Sequence, residues 1–284
     1  MRLHTEWLSY LRALRRREVE LAFRWCPPGV FANALELGAG DGYQASLLAR
    51  YASRLVSTDY DRSILSRAAT PSVQFMVCDA EQLERYFKPR QFDLVFSSNV
   101  MEHLPDPGRA LAGISRVLTD EGITIHVMPT RFWKLCHVAL HIPHVLARAL
   151  ERTSDEGLAK TLARERAKGT DPEQSGSLGP ANNPKTARRV RSLLSRLLSP
   201  DPHGVSATHT MEFRAFGKER WIREFAAAGL DVVAVLKGPV CSGYGFGLNR
   251  FRLMLEKAGF ASEYAYVAVK RGAKSPWAHH FQGA

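Results

Sequence analysis

Residues 34–43, reading ALELGAGDGY, constrain this chain more than any other stretch. An apolar run ends in an acid, Glu36, and glycines follow at Gly38, Gly40 and Gly42 before a helical apolar pattern opens at Ala45. A strand running into a glycine turn and then a helix is the opening of a nucleotide-binding βαβ unit, in which glycine lets a ligand approach the backbone closely. The spacing is G-x-G-x-G. Tyr43 stands where the last glycine of a dinucleotide site would be needed for helix packing. Glu36 and Asp41 place negative charge on both sides of the turn. A pyrophosphate would be repelled there, whereas a ligand carrying an ammonium and a sulfonium would be attracted.

The following segments repeat that logic. Residues 54–58 (RLVST) read as a second strand ending in Asp59, about twenty residues after the turn, where an acid accepts hydrogen bonds from ribose hydroxyls. Tyr60 follows and is placed to lie against an adenine face. Residues 73–78 (VQFMVC) read as a third strand ending in Asp79, placed to accept from an adenine amine. Residues 92–96 and 123–128 read as the fourth and fifth strands. Short apolar runs alternating with helical patterns predict a parallel sheet with ligand groups at the carboxyl ends of its strands.

The ordered strings ELGAGDG, STDYD, CDAEQL, FDLVFSSNVMEHL and RVLTDEGITIHVMPT resemble the core of a class I S-adenosylmethionine-dependent methyltransferase. The group resembled includes the ubiquinone and menaquinone methyltransferases, and the likeness covers residues 33–130. One departure is Asp120, Glu121 and Gly122 in place of the group's usual Pro-Gly-Gly before the fifth strand. The resemblance implies a Rossmann-like, seven-stranded, mostly parallel α/β sheet with helices on both faces, and S-adenosyl-L-methionine as cofactor. It implies that Glu36, Gly38, Ala39 and Gly40 cradle the methionine part and that Asp59 holds the ribose. Tyr60, Asp79 and Ala80 would border the adenine, while Ser97, Ser98 and Asn99 would lie between cofactor and acceptor. Each acid also has a plainer reading, as a helix cap or a solvated loop carboxylate.

Four domains of organisation follow: an N-terminal helical segment (1–30), the cofactor core (31–130), a helical cap inserted after the fifth strand (131–212) and the rest of the core (213–284). The insertion opens with Phe132, Trp133 and an apolar face of Leu135, Val138, Ala139, Ile142, Leu146 and Ala149, kinked at Pro143. A polar stretch at 154–184 reads as a flexible loop, and a leucine-rich, basic helix around 185–198 closes the segment. An insertion at the carboxyl edge of an α/β sheet lies next to the reacting group, which makes it the expected substrate cap. After it, residues 217–230 read as a helix, 231–239 as a sixth strand and 263–270 as a seventh. Tyr244 and Phe246, between those strands, read either as substrate walls or as ordinary turn residues.

The formal net charge of +11 raises nucleic acid, acidic lipid or an anionic substrate as partners. Nucleic-acid methylation is disfavoured because SSNV stands where base-amine enzymes carry N-P-P-Y. Cys26, Cys78, Cys136 and Cys241 lie far apart with no C-x-x-C pair, which argues for reduced thiols and against zinc, so no metal is expected. The charged N-terminus is neither a signal peptide nor a spanning helix. The expected setting is the cytoplasm, with peripheral contact at the inner membrane surface through the cap.

The candidate general bases are His103, which follows the fourth strand beside Glu102, and His203 and His209 from the far end of the cap, with Glu212 as an orienting partner. The expected reaction is O-methylation of a small or carrier-linked molecule such as a sugar, glycan or lipid-attached intermediate. A natural-product or quinone-precursor O- or C-methyltransferase is the alternative, followed by a nucleic-acid methyltransferase or a non-catalytic cofactor-binding protein.

Overall fold

The computed structural model describes residues 7–65, 70, 72–153, 208–245 and 248–282, with side chains throughout except at 148–153. The expected loop and basic helix of the insertion, His203 and Phe246 lie outside the described residues.

A seven-stranded sheet carries the fold, in the order β3-β2-β1-β4-β5-β7-β6. The strands are β1 (Phe31–Leu37), β2 (Ala52–Asp59), β3 (Val73–Val77), β4 (Phe92–Ser98), β5 (Leu118–Pro129), β6 (Leu230–Lys237) and β7 (Glu263–Lys270). The pairs from β3 through β5 are parallel. Strand β7 enters antiparallel between β5 and β6.

The side chains of each central strand alternate between two cores. Leu94, Phe96, Ile123, Ile125, Val267 and Val269 face one side, beneath α1 (Trp7–Ala22) and α2 (Tyr43–Leu48). Leu35, Val95, Tyr266 and Ala268 face the other, beneath the 3₁₀ turn Ala80–Arg85, α4 (Pro107–Val117) and α8 (Lys218–Ala227), the last contributing Trp221 and Phe225. Burial on both faces explains why these strands read as nearly continuous apolar runs. Strand β5 begins earlier than expected, because polar Thr119, Asp120 and Glu121 continue the strand past a register shift opposite β4, between Phe92 and Leu94.

Helix α3 (Arg62–Leu65) follows β2, and α5 (Arg131–Ala139) and α6 (His141–Thr153) follow β5. The helix break falls at Leu140, ahead of the expected kink, and Pro143 sits within the first turn of α6, where its missing N–H costs nothing. Beyond the insertion come α7 (His209–Ala215) and, between β6 and β7, α9 (Asn249–Lys257).

The chain separates into two compact units, one formed by residues up to 136 and from 202 onward, the other by residues 137–201. No helix among the described residues is long and apolar enough to cross a membrane. All four cysteines are free; burial pushes Cys26 and Cys78 up to about 12 and Cys241 well above its ordinary value, so these thiols are inert packing groups.

Candidate active site

The glycine turn sits where β1 is flanked by β2 on one side and β4 on the other, the switch point at which α/β sheets bind ligands. The backbone N–H groups of Gly38 and Ala39 donate to the Thr58 carbonyl at 2.7 and 2.8 Å. Gly40 N–H donates to Asp59 Oδ2 at 2.9 Å, and Asp61 N–H donates to Asp59 Oδ1 at 3.0 Å. Each Asp59 oxygen therefore keeps lone pairs for a ligand while fixing the turn. Gly38 has φ +83°, and a Cβ there would come within 2.3 Å of Val100 Cγ2. At Gly40, with φ +53°, a Cβ would meet nothing within 4 Å. One glycine is thus demanded by packing, and the other faces open space.

The remaining expected cofactor residues separate by what already holds them. Tyr60 is 78% exposed. Asp79 caps the 3₁₀ turn that begins at Ala80, accepting from Glu81 N–H at 2.9 Å and from Gln82 Nε2. Ser97 is turned into the sheet. Thr124 Oγ1 donates to the Val95 carbonyl, so it accepts from His126 Nε2, and His126 Nδ1 in turn accepts from Ser97 Oγ at 2.7 Å. Burial lowers His126 to about 3, keeping the ring neutral beside Phe225. The Ser97 hydroxyl is therefore committed to the sheet interior, away from the place between cofactor and acceptor that the resemblance implied. Asn99 leaves β4 with φ 53°, its N–H bonded to Val127 O and its Nδ2 donating to Glu263 Oε1 at 3.2 Å.

Four buried carboxyl groups gather around one guanidinium at this edge. Arg15 of α1 donates to Glu18 Oε1 at 2.7 Å and to Ser98 Oγ at 2.8 Å. Glu18 Oε2 also accepts from Gln44 Nε2 and Ser98 Oγ. Glu36 accepts from Ser57 through one oxygen, and its other oxygen has no hydrogen-bond partner. Burial pushes Glu36 up to about 8, and the Asp59 charge adds to that, against the Ser57 hydrogen bond and Arg15. Glu102, in the 3₁₀ turn Met101–His103, has both oxygens buried without a hydrogen-bond partner on another described residue, and burial pushes it up to about 8 against a hydrogen bond from its own backbone and the Arg15 charge. Glu263 opens β7, and pairing with Pro129 sets it at the carboxyl end of β5. Burial and then the Glu18 charge push it well above the ordinary carboxyl range. Burial works against the charge on Arg15, and Glu18 and Glu263 outweigh it.

Sequence reasoning missed Arg15, Glu18 and Glu263. Glu18 carried a usable signal, since it falls on the same i, i+4 stripe as buried Tyr10, Leu14 and Ala22. Arg15 stands in a run of three arginines, Arg15 to Arg17, in which nothing local marks one of them for burial.

Two of the expected bases, His103 and His209, lie among the described residues, and each stands beside a different carboxylate. His103 is at the site, with Nε2 at 3.9 Å from Glu102 Oε1, and burial followed by Arg15 lowers its pKa. His209 opens α7, where its Nδ1 lies 3.8 Å from Glu212 Oε2, and that carboxylate forms a buried ion pair with Lys134. The Glu212 carboxylate expected to orient His209 is thus engaged by a lysine. Trp133, at the start of the insertion, packs with Leu14, Phe216 and Cys241 in a small core.

Comparison with known proteins agrees with this geometry. Residues 35–126 match the family model described as a methyltransferase domain. An S-adenosylmethionine-dependent methyltransferase of Mycobacterium tuberculosis is 29% identical over 41% of this chain and 42% of its own length. One of Mycolicibacterium smegmatis is 32% identical over 35% of this chain and 38% of its own. The trans-aconitate 2-methyltransferase of an Azoarcus species is 30% identical over 37% of this chain and 42% of its own. The chain thus spans well under two thirds of the length of the curated relatives it matches. A Haloferax volcanii structure, a complex of the Trm112 methyltransferase activator with a methyltransferase, superposes with a TM-score of 0.51 at 14% identity, over 93% of this chain and 94% of that one. An S-adenosylmethionine-dependent methyltransferase structure from Listeria monocytogenes gives 0.51 at 13% identity, over 90% and 98%. Sheet order, glycine turn and matched span together make residues 35–126 of this chain a class I S-adenosylmethionine-dependent methyltransferase domain.

Proposed function

We propose that the chain transfers a methyl group from S-adenosylmethionine to an oxygen of a small or carrier-linked acceptor, such as a sugar, glycan or lipid-attached molecule. The cofactor, when bound, supplies a methyl carbon on a cationic sulfur that is open to attack from the opposite side. The residues fit such a group: the space before Gly40 is open, Glu36 keeps an oxygen without a partner, and Asp59 keeps lone pairs. In this reading Glu36, Gly38, Ala39, Gly40 and Asn99 border the methionine part, Asp59 the ribose, and Tyr60, Asp79 and Ala80 the adenine.

Glu102 carries the oxygen reading. A hydroxyl becomes a good nucleophile when a positioned base removes its proton, an effect typically worth about 10² to 10⁴ in rate. Neither Glu102 oxygen has a hydrogen-bond partner on another described residue, and burial, which pushes its pKa up to about 8, leaves a usable deprotonated fraction at neutral pH. His103, half-exposed and 3.9 Å away, passes the proton to solvent. Helix α6 exposes Ile142 and Leu146, which suits an apolar acceptor or a lipid surface.

The test is incubation with methyl-labelled cofactor and lipid or glycan extracts, with calorimetry of S-adenosylhomocysteine binding in parallel. Label is expected in an ether or ester of the extract. Glu102→Gln should lower kcat by about 10² or more with the heat of binding unchanged. Asp59→Ala should abolish that heat. Label confined to RNA or protein overturns the reading.

A further inference from the structure

Helix α9 is amphipathic in the wrong sense for a surface helix. None of its residues is buried. Its inward contacts are polar: Arg252 Nε donates to the Val240 carbonyl at 2.7 Å, Glu256 Oε1 accepts from Val240 N–H at 3.0 Å, and Glu256 Oε2 accepts from Arg17 of α1 at 3.4 Å. The apolar residues point outward instead, with Phe251, Leu253 and Met254 53%, 47% and 55% exposed. A surface helix ordinarily turns its apolar stripe to the core and its charge to water. Around the helix axis, exposed Arg250 and Lys257 stand between Leu253 on one side and Met254 and Phe251 on the other. The one acid of the helix is Glu256, engaged on the inner side, so the outward face is cationic. Just past the helix Phe260 is exposed, and the exposed Lys237 reaches Gly259 and brings a further base to that end.

We propose that this face of α9 docks the protein on an anionic membrane surface, with Phe251, Leu253 and Met254 entering the acyl boundary while Arg250, Lys257 and Lys237 meet lipid phosphates. A protein interface sets an apolar centre inside a polar rim, whereas on α9 the bases are interleaved with the apolar side chains. A bilayer interface accepts that mixture, because long basic side chains lay their stems along apolar surface and keep their charged ends among the headgroups. Nucleic acid would match the bases and leave the apolar side chains in water. The net charge of +11 draws the chain toward an anionic leaflet, and each base at its surface strengthens binding about fivefold. Docking does not depend on which acceptor is methylated. It does set the lipid close to the candidate site, since Phe260 shortly precedes Glu263, whose pairing with Pro129 marks the carboxyl end of β5.

The test is flotation of the full-length chain with vesicles of phosphatidylcholine alone, or of phosphatidylcholine and phosphatidylglycerol in equal parts. Binding to the mixed vesicles should be at least about tenfold tighter and should weaken as salt is raised. Phe251→Ala combined with Met254→Ala should weaken it at least about tenfold, through the apolar area withdrawn from the acyl boundary. Arg250→Gln combined with Lys257→Gln should remove most of the preference for the anionic vesicles. All four side chains are exposed, so both variants should melt as the wild type does and match its heat of S-adenosylhomocysteine binding. Ile142→Ala combined with Leu146→Ala, on α6, should bind vesicles like the wild type. The proposal is overturned by an absence of vesicle binding, by equal binding to the two compositions, or by binding that survives both α9 variants or is lost only in the α6 variant. Self-association in ultracentrifugation that Phe251→Ala with Met254→Ala abolishes also overturns it, α9 then being an interface between copies of the chain. Loss of S-adenosylhomocysteine binding by the wild type sinks the methyl-transfer reading and leaves docking untouched.

Discussion

Single residues at the glycine turn do separable work. Gly38 fills a contact: at φ +83° a side chain is strained, and its Cβ would lie 2.3 Å from Val100 Cγ2, closer than packed atoms come. Gly38→Ala should therefore destabilise the fold by about 2 kcal/mol or more, read as a lower urea midpoint, even without cofactor. Gly40 faces open space, so Gly40→Ala should cost only about 1 kcal/mol, the left-handed backbone penalty. Its larger effect should be on S-adenosylhomocysteine affinity, since the added methyl group occupies the cradle; calorimetry at equal folded fraction checks this. Equal stability losses with unchanged affinity would contradict this division. Asn99 shows the same economy, reaching φ 53° without glycine because its amide finds Glu263.

At the scale of elements, the buried ion pair between Lys134 on α5 and Glu212 on α7 fixes the two chain segments that border residues 137–201. Lys134→Ala leaves Glu212 buried without its cation and should cost about 3–5 kcal/mol, whereas Lys134→Met combined with Glu212→Leu should come out close to wild type in urea melts. An additive loss in the double variant would show that the pair contributes stability beyond mutual neutralisation. These two residues mark what the sequence could disclose. Strands such as β4 and β7 were legible because each buries both faces or alternates cleanly, and the glycine turn was legible because only glycine suits it. Ser97 was not, because its hydroxyl answers to His126 on a neighbouring strand, and that pairing depends on sheet register. Glu18 and Glu263 were hidden for a similar reason. They lie far apart in the chain and meet only after α1 docks over Ser98, so no local pattern reports their shared burial.

The whole molecule inherits a pH dependence from these acids. Glu36 and Glu102 are raised to about 8, and burial with the Glu18 charge also raises Glu263 well above the ordinary carboxyl range, from an unfolded value of 4.5. A raised carboxyl holds a proton in the folded chain that the unfolded chain has released, so its contribution is full below about pH 4.5 and fades as pH rises through 8. His126 works in the opposite sense: its pKa, depressed to about 3, gives stability above 6.5 that is lost on acidification. Between pH 7 and 8.5 the histidine is silent and the acids dominate, each with a limiting slope of about 1.4 kcal/mol per pH unit. Arg15 narrows the pH window by lowering the folded pKa values, and Asp59 beside Glu36 and Glu18 beside Glu102 widen it. The ligand-free protein should thus melt at progressively lower temperature across that window, and Glu102→Gln should flatten the curve because glutamine has no proton to lose. A bound ammonium changes the sign of the local field, so ligand binding should release protons and tighten with pH where the free protein weakens. Melts of the wild type with and without S-adenosylhomocysteine at matched ionic strength read both effects. A ligand-free midpoint that climbs from pH 7 to 8.5 would mean that the buried carboxyls are ionised in the folded chain and neutralised by something other than protons.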